Sequence, residues 1–145
     1  MTFPEPTPGL VIRYSYLWRR EHLESREEGQ KDRPCALVAA IQTEAGAQRV
    51  LVLPVTHSPP DADTVAIEIP AFVKQRLRMD EQPSWIVISE YNDFVWPGPD
   101  LRPAPGDADG SIAYGSLPRS LFEQVRRAWL ELVEKRGSKP VRRTE

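Results

Sequence analysis

The sequence predicts a mainly β domain with a smaller α part: an antiparallel sheet of five to seven short strands, one short helix and one long C-terminal helix. Three observations predict it. Short apolar runs rich in β-branched and aromatic residues recur between turn signals. Fifteen prolines in 145 residues, about twice the ordinary usage of roughly 5%, are scattered as loop punctuation. Sustained helical spacing over several turns is confined to the segment after Pro118.

Residues 1–8, "MTFPEPTP", are proline-rich and predicted to be a flexible N-terminal segment. "GLVIRYSYLW", Gly9 to Trp18, is the first strand signal. "RREHLESREEGQKD", Arg19 to Asp32, is almost wholly polar; it is a long connection with a plausible helical turn, and loops of this length are often functional. "RPCALVAAIQ" and "QRVLVLPVT" are the second and third strands, joined by the hairpin-length "TEAGA". The third is nearly continuous in apolar residues, which predicts burial on both faces. "HSPPDAD" breaks it, and "TVAIEI" alternates as a short strand. "PAFVKQRLRM" is the short helix, with Pro70 at its start and Phe72, Val73, Arg76 and Leu77 on one face.

"PSWIVIS" is a further strand, and "EYNDFVW" runs from it into the loop "PGPDLRPAPGDADG". "SIAYGSL" is the last short strand expected. In "PRSLFEQVRRAWLELVEKR", Leu121, Val125, Ala128, Trp129, Leu132 and Val133 recur at helical spacing. Pro118 and the box Ser120-x-x-Glu123 mark the helix start, and Gly137 its end. Residues 9–136 then make one domain, and residues 137–145 a basic disordered tail.

The composition, 40% hydrophobic and 28% charged, is that of a soluble globular protein. A net charge of −2 gives no global drive toward nucleic acid, although a local basic patch suffices for a phosphate. Cys35 is the single cysteine and lies in an apolar run, so it is expected to be a small core residue. No signal-peptide pattern or membrane-length apolar run is visible, and a cytoplasmic location with no membrane partner is expected. The sequence has no glycine-rich phosphate loop, CxxC, HExxH or GxSxG. His22 and His57 are its only histidines, so no metal and no cofactor are expected.

Two places join polar chemistry to a strand end: Arg33, opening the second strand, and Thr56-His57-Ser58, closing the third. The two strands are about equally long on either side of the hairpin turn, which sets Arg33 beside Thr56. A guanidinium next to a hydroxyl and an imidazole is a credible phosphate site. The plainer alternative is that Arg33 caps a loop and Thr56 satisfies a backbone group. Alternation also sends Thr56 and His57 to opposite faces if the strand continues through both.

"PGLVIRYSYLW…KDRPCALV…VLVLPVTHS…PSWIVISEYNDF" resembles the PemK/MazF family of toxin endoribonucleases over roughly residues 9–136. The likeness rests on a glycine-led first strand, an RP dipeptide opening strand two, a "LPVT" ending strand three, and the later "SWIVIS". It implies a small SH3-like, plasmid-toxin-like antiparallel barrel that forms a homodimer. It also implies a growth-inhibiting toxin of a toxin–antitoxin module, which cleaves single-stranded RNA without metal and is restrained by a cognate antitoxin protein. The family's arginine and threonine fall on Arg33 and Thr56, and its gating loop on Arg19 to Asp32. Attack of a ribose 2′-OH on the adjacent phosphate needs charge neutralisation, which Arg33 supplies, and proton transfer. Histidine titrates near neutrality as a residue type, which makes His57 the local acid–base candidate, although the family pattern does not require it. Lys31, Glu21 and Ser58 complete the expected RNA-contacting set, with Glu21 a second base candidate. The alternative function is a catalytically silent member of the same fold that binds protein or nucleic acid through the same groove.

Overall fold

The computed structural model describes residues 3–19, 32–106, 110–135 and 139–143. The strands are β1 Leu10–Tyr14, β2 Arg33–Gln42, β3 Gln48–Thr56, β4 Ala66–Glu68, β5 Trp85–Val87, β6 Glu90–Trp96, β7 Ala113–Ser116 and β8 Lys139–Arg142. The helices are α1 Ala71–Arg76 and α2 Arg119–Glu134. The fold is mainly β with some α. Its sheet runs β4-β5-β3-β2-β1-β7 and is not closed; β6 pairs with β3, and β8 with β6. All pairings are antiparallel except the parallel β6–β8 pair.

β3 is the hub because it is apolar on both faces. Val50 to Val55 are all buried, as its unbroken apolar run predicts. Leu51, Leu53 and Val55 face one core with Val73 of α1, Leu77 at its C-terminal cap, and Leu121, Val125 and Trp129 of α2. Val50 and Val52 face a second, with Ile12, Tyr14, Tyr16, Cys35 and Phe94. Each fully buried large side chain contributes about 1.5–3 kcal/mol of transfer free energy. One edge of β3 holds β2; the other is shared, Gln48 to Val52 pairing with β6 and Val55 and Thr56 with β5. The stretch from Pro83 to Trp96 therefore holds two strands, β5 and β6.

Several expectations are corrected. The tail is no disordered segment where it is described: Lys139–Arg142 is an edge strand, Val141 is buried, and Arg143 is 5% exposed. "KPVR" carries no strand signal of its own; pairing with β6 and a buried ion pair order it. The box at Ser120 and Glu123 does not form. α2 begins at Arg119 after Pro118, no side chain caps it, and Glu123 accepts from Arg119 instead. In α1, Phe72 is 69% exposed, while Lys74 turns inward beside Val73. Gly137, Glu21 and Lys31 lie outside the described residues. Among the described residues, no helix is long and apolar enough to cross a membrane.

Candidate functional site

The β2–β3 register decides the first question. Cys35 pairs with Pro54 and Ala36 with Leu53, so the same register sets Arg33 opposite Thr56. Both line one cleft of about 430 Å³, with Arg13, His57, Arg78, Asp80 and Tyr114 among its other walls. The hairpin reasoning thus places Arg33 and Thr56 together. His57 joins them because β3 ends at Thr56 and the chain turns there. The hydroxyl oxygen of Thr56 accepts the Ser58 amide at 3.1 Å, a local turn that stops the alternation. Ser58 is exposed and is not among the cleft-lining residues.

Each wall has a structural cause. Arg33 Nη1 donates to the Val55 carbonyl at 3.3 Å, and its guanidinium carbon sits 4.9 Å from the Trp18 ring centroid. A carbonyl and an aromatic face therefore fix the guanidinium. Asp32 lies between two cations, 4.0 Å from Arg13 Nε and 3.8 Å from Arg102 Nε. That gives the acidic residue before Arg33 a role: it pins Arg13 at the cleft wall. Arg13 Nη1 also makes a long 3.5 Å contact with the Tyr114 hydroxyl. Burial raises the pKa of that hydroxyl, and Arg13 offsets it only in part, so Tyr114 is a neutral phenol.

A chain of three side chains was not legible in the sequence. His57 Nε2 lies 2.8 Å from Asp80 Oδ2, and Asp80 Oδ1 accepts from Lys74 Nζ at 2.6 Å. Lys74 is 4% exposed, and its ammonium also donates to the Gln82 carbonyl and, at 2.6 Å, to Ser84 Oγ. Partial burial pushes the Asp80 carboxyl up, but the Lys74 hydrogen bond and charge, with His57, outweigh it and hold the pKa below the ordinary carboxylate value. Asp80 thus stays ionised and holds the imidazole by Nε2. Asp80 lies 23 residues from His57 in the turn after α1, and only the helix's position brings it back.

Cys35 makes no second nucleophile. It is fully buried, with Sγ 3.7 Å from the Arg33 carbonyl, and burial raises its thiol pKa strongly despite the nearby Arg33 and Arg143. No group of three or more His, Cys, Asp or Glu side chains poised for a metal forms among the described residues. Compared with models of known families, with curated proteins and with solved structures, the chain has no significant match.

Proposed function

We propose that the protein is an endoribonuclease that cleaves single-stranded RNA by attack of the 2′-OH on the adjacent phosphate, the toxin of a PemK/MazF-type module. The observation that carries this reading is the shared cleft of Arg33, Thr56 and His57, with His57 held by Asp80. Arg33 and Arg13 receive the phosphate and stabilise charge that grows on its oxygens in the transition state. His57 Nδ1 takes the 2′-OH proton as the 2′-oxygen bonds to phosphorus. The 5′-oxygen leaves with a proton from solvent or from the imidazolium. The products are a 2′,3′-cyclic phosphate and a 5′-hydroxyl.

The resemblance of the four ordered sequence segments adds the family context: a homodimeric SH3-like barrel, a cytoplasmic site of action and an antitoxin partner. A second reading, a silent binding module on the same fold, is favoured by one observation. Arg33 is already engaged by Val55 and Trp18, as a structural arginine would be. Incubation with single-stranded RNA in excess chelator separates the two. Cleavage to cyclic-phosphate ends that vanishes in Arg33→Ala and His57→Ala supports the enzyme. RNA binding without any cleavage supports the module, and neither cleavage nor binding sinks both.

A further inference from the structure

A second groove, of about 360 Å³, adjoins the cleft and shares Arg78, Pro105 and Tyr114 with it. Arg76 joins its lining. Three local features shape their common wall. Arg78 has φ 57° and occupies the left-handed position that ends α1. Met79 N donates to the Lys74 carbonyl and Arg78 N to the Gln75 carbonyl, a Schellman closure in which glycine is the favoured residue. An arginine there is strained, yet neither Arg76 nor Arg78 forms an ion pair among the described residues.

Tyr114 is the second feature. Val11 pairs with Gly115 and Ile12 with Ala113, so Tyr114 is the extra residue of a β-bulge in β7. Bulges re-aim side chains, and this one brings the ring to the walls of both grooves. The third is Gly115. A Cβ on it would come within 2.9 Å of Leu77 Cδ2, so glycine lets β7 approach α1 closely. Tyr114 and Arg78 both line the wall that the two grooves share. On the other side of Asp80 the lining instead carries Glu68 and Glu81, which repel a phosphate chain.

Resting on the endoribonuclease reading, we infer that the Arg76–Arg78–Tyr114 groove is a subsite for the nucleotide next to the scissile phosphate. Tyr114 offers a ring for the base to stack on, and Arg78 and Arg76 bind the flanking phosphate. The single strand leaves the cleft over β7 and not past Glu68 and Glu81. A nucleic acid without base contacts would need only the arginines, so Tyr114 is the residue that makes this a nucleotide site.

The test is binding of a fluorescein-labelled 2′-O-methyl oligoribonucleotide, which cannot be cleaved, followed by anisotropy across a salt series. Arg78→Gly removes the guanidinium while relieving the backbone, and denaturant unfolding of the same variant checks that weaker binding does not come from lost stability. It is expected to reduce the steepness of log affinity against log salt by about 0.7, as is Arg76→Ala. Tyr114→Ala is expected to weaken binding roughly 5- to 150-fold, with Tyr114→Phe close to wild type. If Arg33→Ala weakens binding while the Arg76, Arg78 and Tyr114 variants match wild type in affinity and salt slope, this subsite is refuted and the cleft reading survives. If Arg33→Ala also binds as wild type, or the wild-type protein binds no RNA, the cleft reading falls and the subsite with it.

Discussion

Arg143 and Arg33 are both arginines at strand ends with an aromatic ring beneath them, and they have opposite fates. Arg143 is buried: Nη2 holds Asp100 Oδ2 at 2.9 Å, and Nη1 reaches the Tyr14 hydroxyl, the Ser15 carbonyl and Asn92 Oδ1. Asn92 is itself buried and bonded to both backbone groups of Leu17. This network ties β8, β6 and the extended chain after β1 together. Arg33 is half-buried, rests on Trp18 and borders an open cleft with Arg13, Arg78 and His57. The difference shows that charge and residue type alone do not separate the two arginines. Burial in a closed network and a place on an open cleft beside other cations and a histidine do.

The sharpest way to break the contrast is to remove the partner of the buried arginine. Asp100→Ala leaves a guanidinium in the interior without its carboxylate and is expected to cost about 3–5 kcal/mol in urea unfolding. The paired variant Asp100→Leu with Arg143→Met, which buries no charge, is expected to recover most of that loss. A loss below about 1 kcal/mol for Asp100→Ala would show that the cluster is not structural.

The next test inverts the comparison. Arg33→Ala is expected to slow RNA cleavage by roughly 10²–10³, about 2.7–4 kcal/mol of transition-state stabilisation. Its stability loss should stay near 1 kcal/mol, the scale of the hydrogen bond to Val55 and the contact with Trp18 that go with it. Measured side by side, Asp100→Ala and Arg33→Ala should separate folding from chemistry. Equal loss of stability in both would merge the two regions into one structural class.

Much of this was readable in advance, for physical reasons. Nearly equal strand lengths about a five-residue turn brought Arg33 close to Thr56, but the exact pairing depends on a bulge between Leu37 and Ala39 that shifts the register by one and has no signal in the sequence. The unbroken apolar run of β3 announced a strand buried on two faces. What stayed hidden depends on long-range pairing. β8 has one buried residue in four, so its local pattern is that of a tail. Asp80 became the partner of His57 only because α1 packs Val73 and Leu77 into the core and returns the following turn to the end of β3. Alternation separates His57 from Thr56 only if β3 continues through both, and β3 ends at Thr56.

The pH dependence of stability probes the hidden part of the site. Asp80's folded pKa is depressed below the reference value of 3.8, with partial burial opposing and Lys74 and His57 prevailing. Its contribution is therefore complete above that reference value and is lost as pH falls through the folded value. Half-exposed as it is, the carboxylate is screened, and the effect is expected to be small. Asp80→Asn should flatten the acid limb of stability against pH in chemical denaturation, whereas Arg33→Ala should leave that limb unchanged. An acid limb identical in Asp80→Asn and wild type would remove Asp80 from the electrostatics of the fold.

The smallest expected change is the most discriminating for the cleft. Arg78 holds a left-handed conformation that costs an L-residue about 1–2 kcal/mol. Arg78→Gly removes that strain, and the extra freedom of glycine in the unfolded chain takes back roughly 0.4–1 kcal/mol. A net gain of about 0.5 kcal/mol in denaturant unfolding is expected. A stability gain with a loss of RNA affinity would mean that the backbone is strained in order to present a guanidinium to the groove. At Arg143 the relation runs the other way, because there the side chain is the source of stability. If Arg78→Gly instead destabilises the protein, the arginine is held by contacts that favour its conformation, and the two regions differ less than their burial implies.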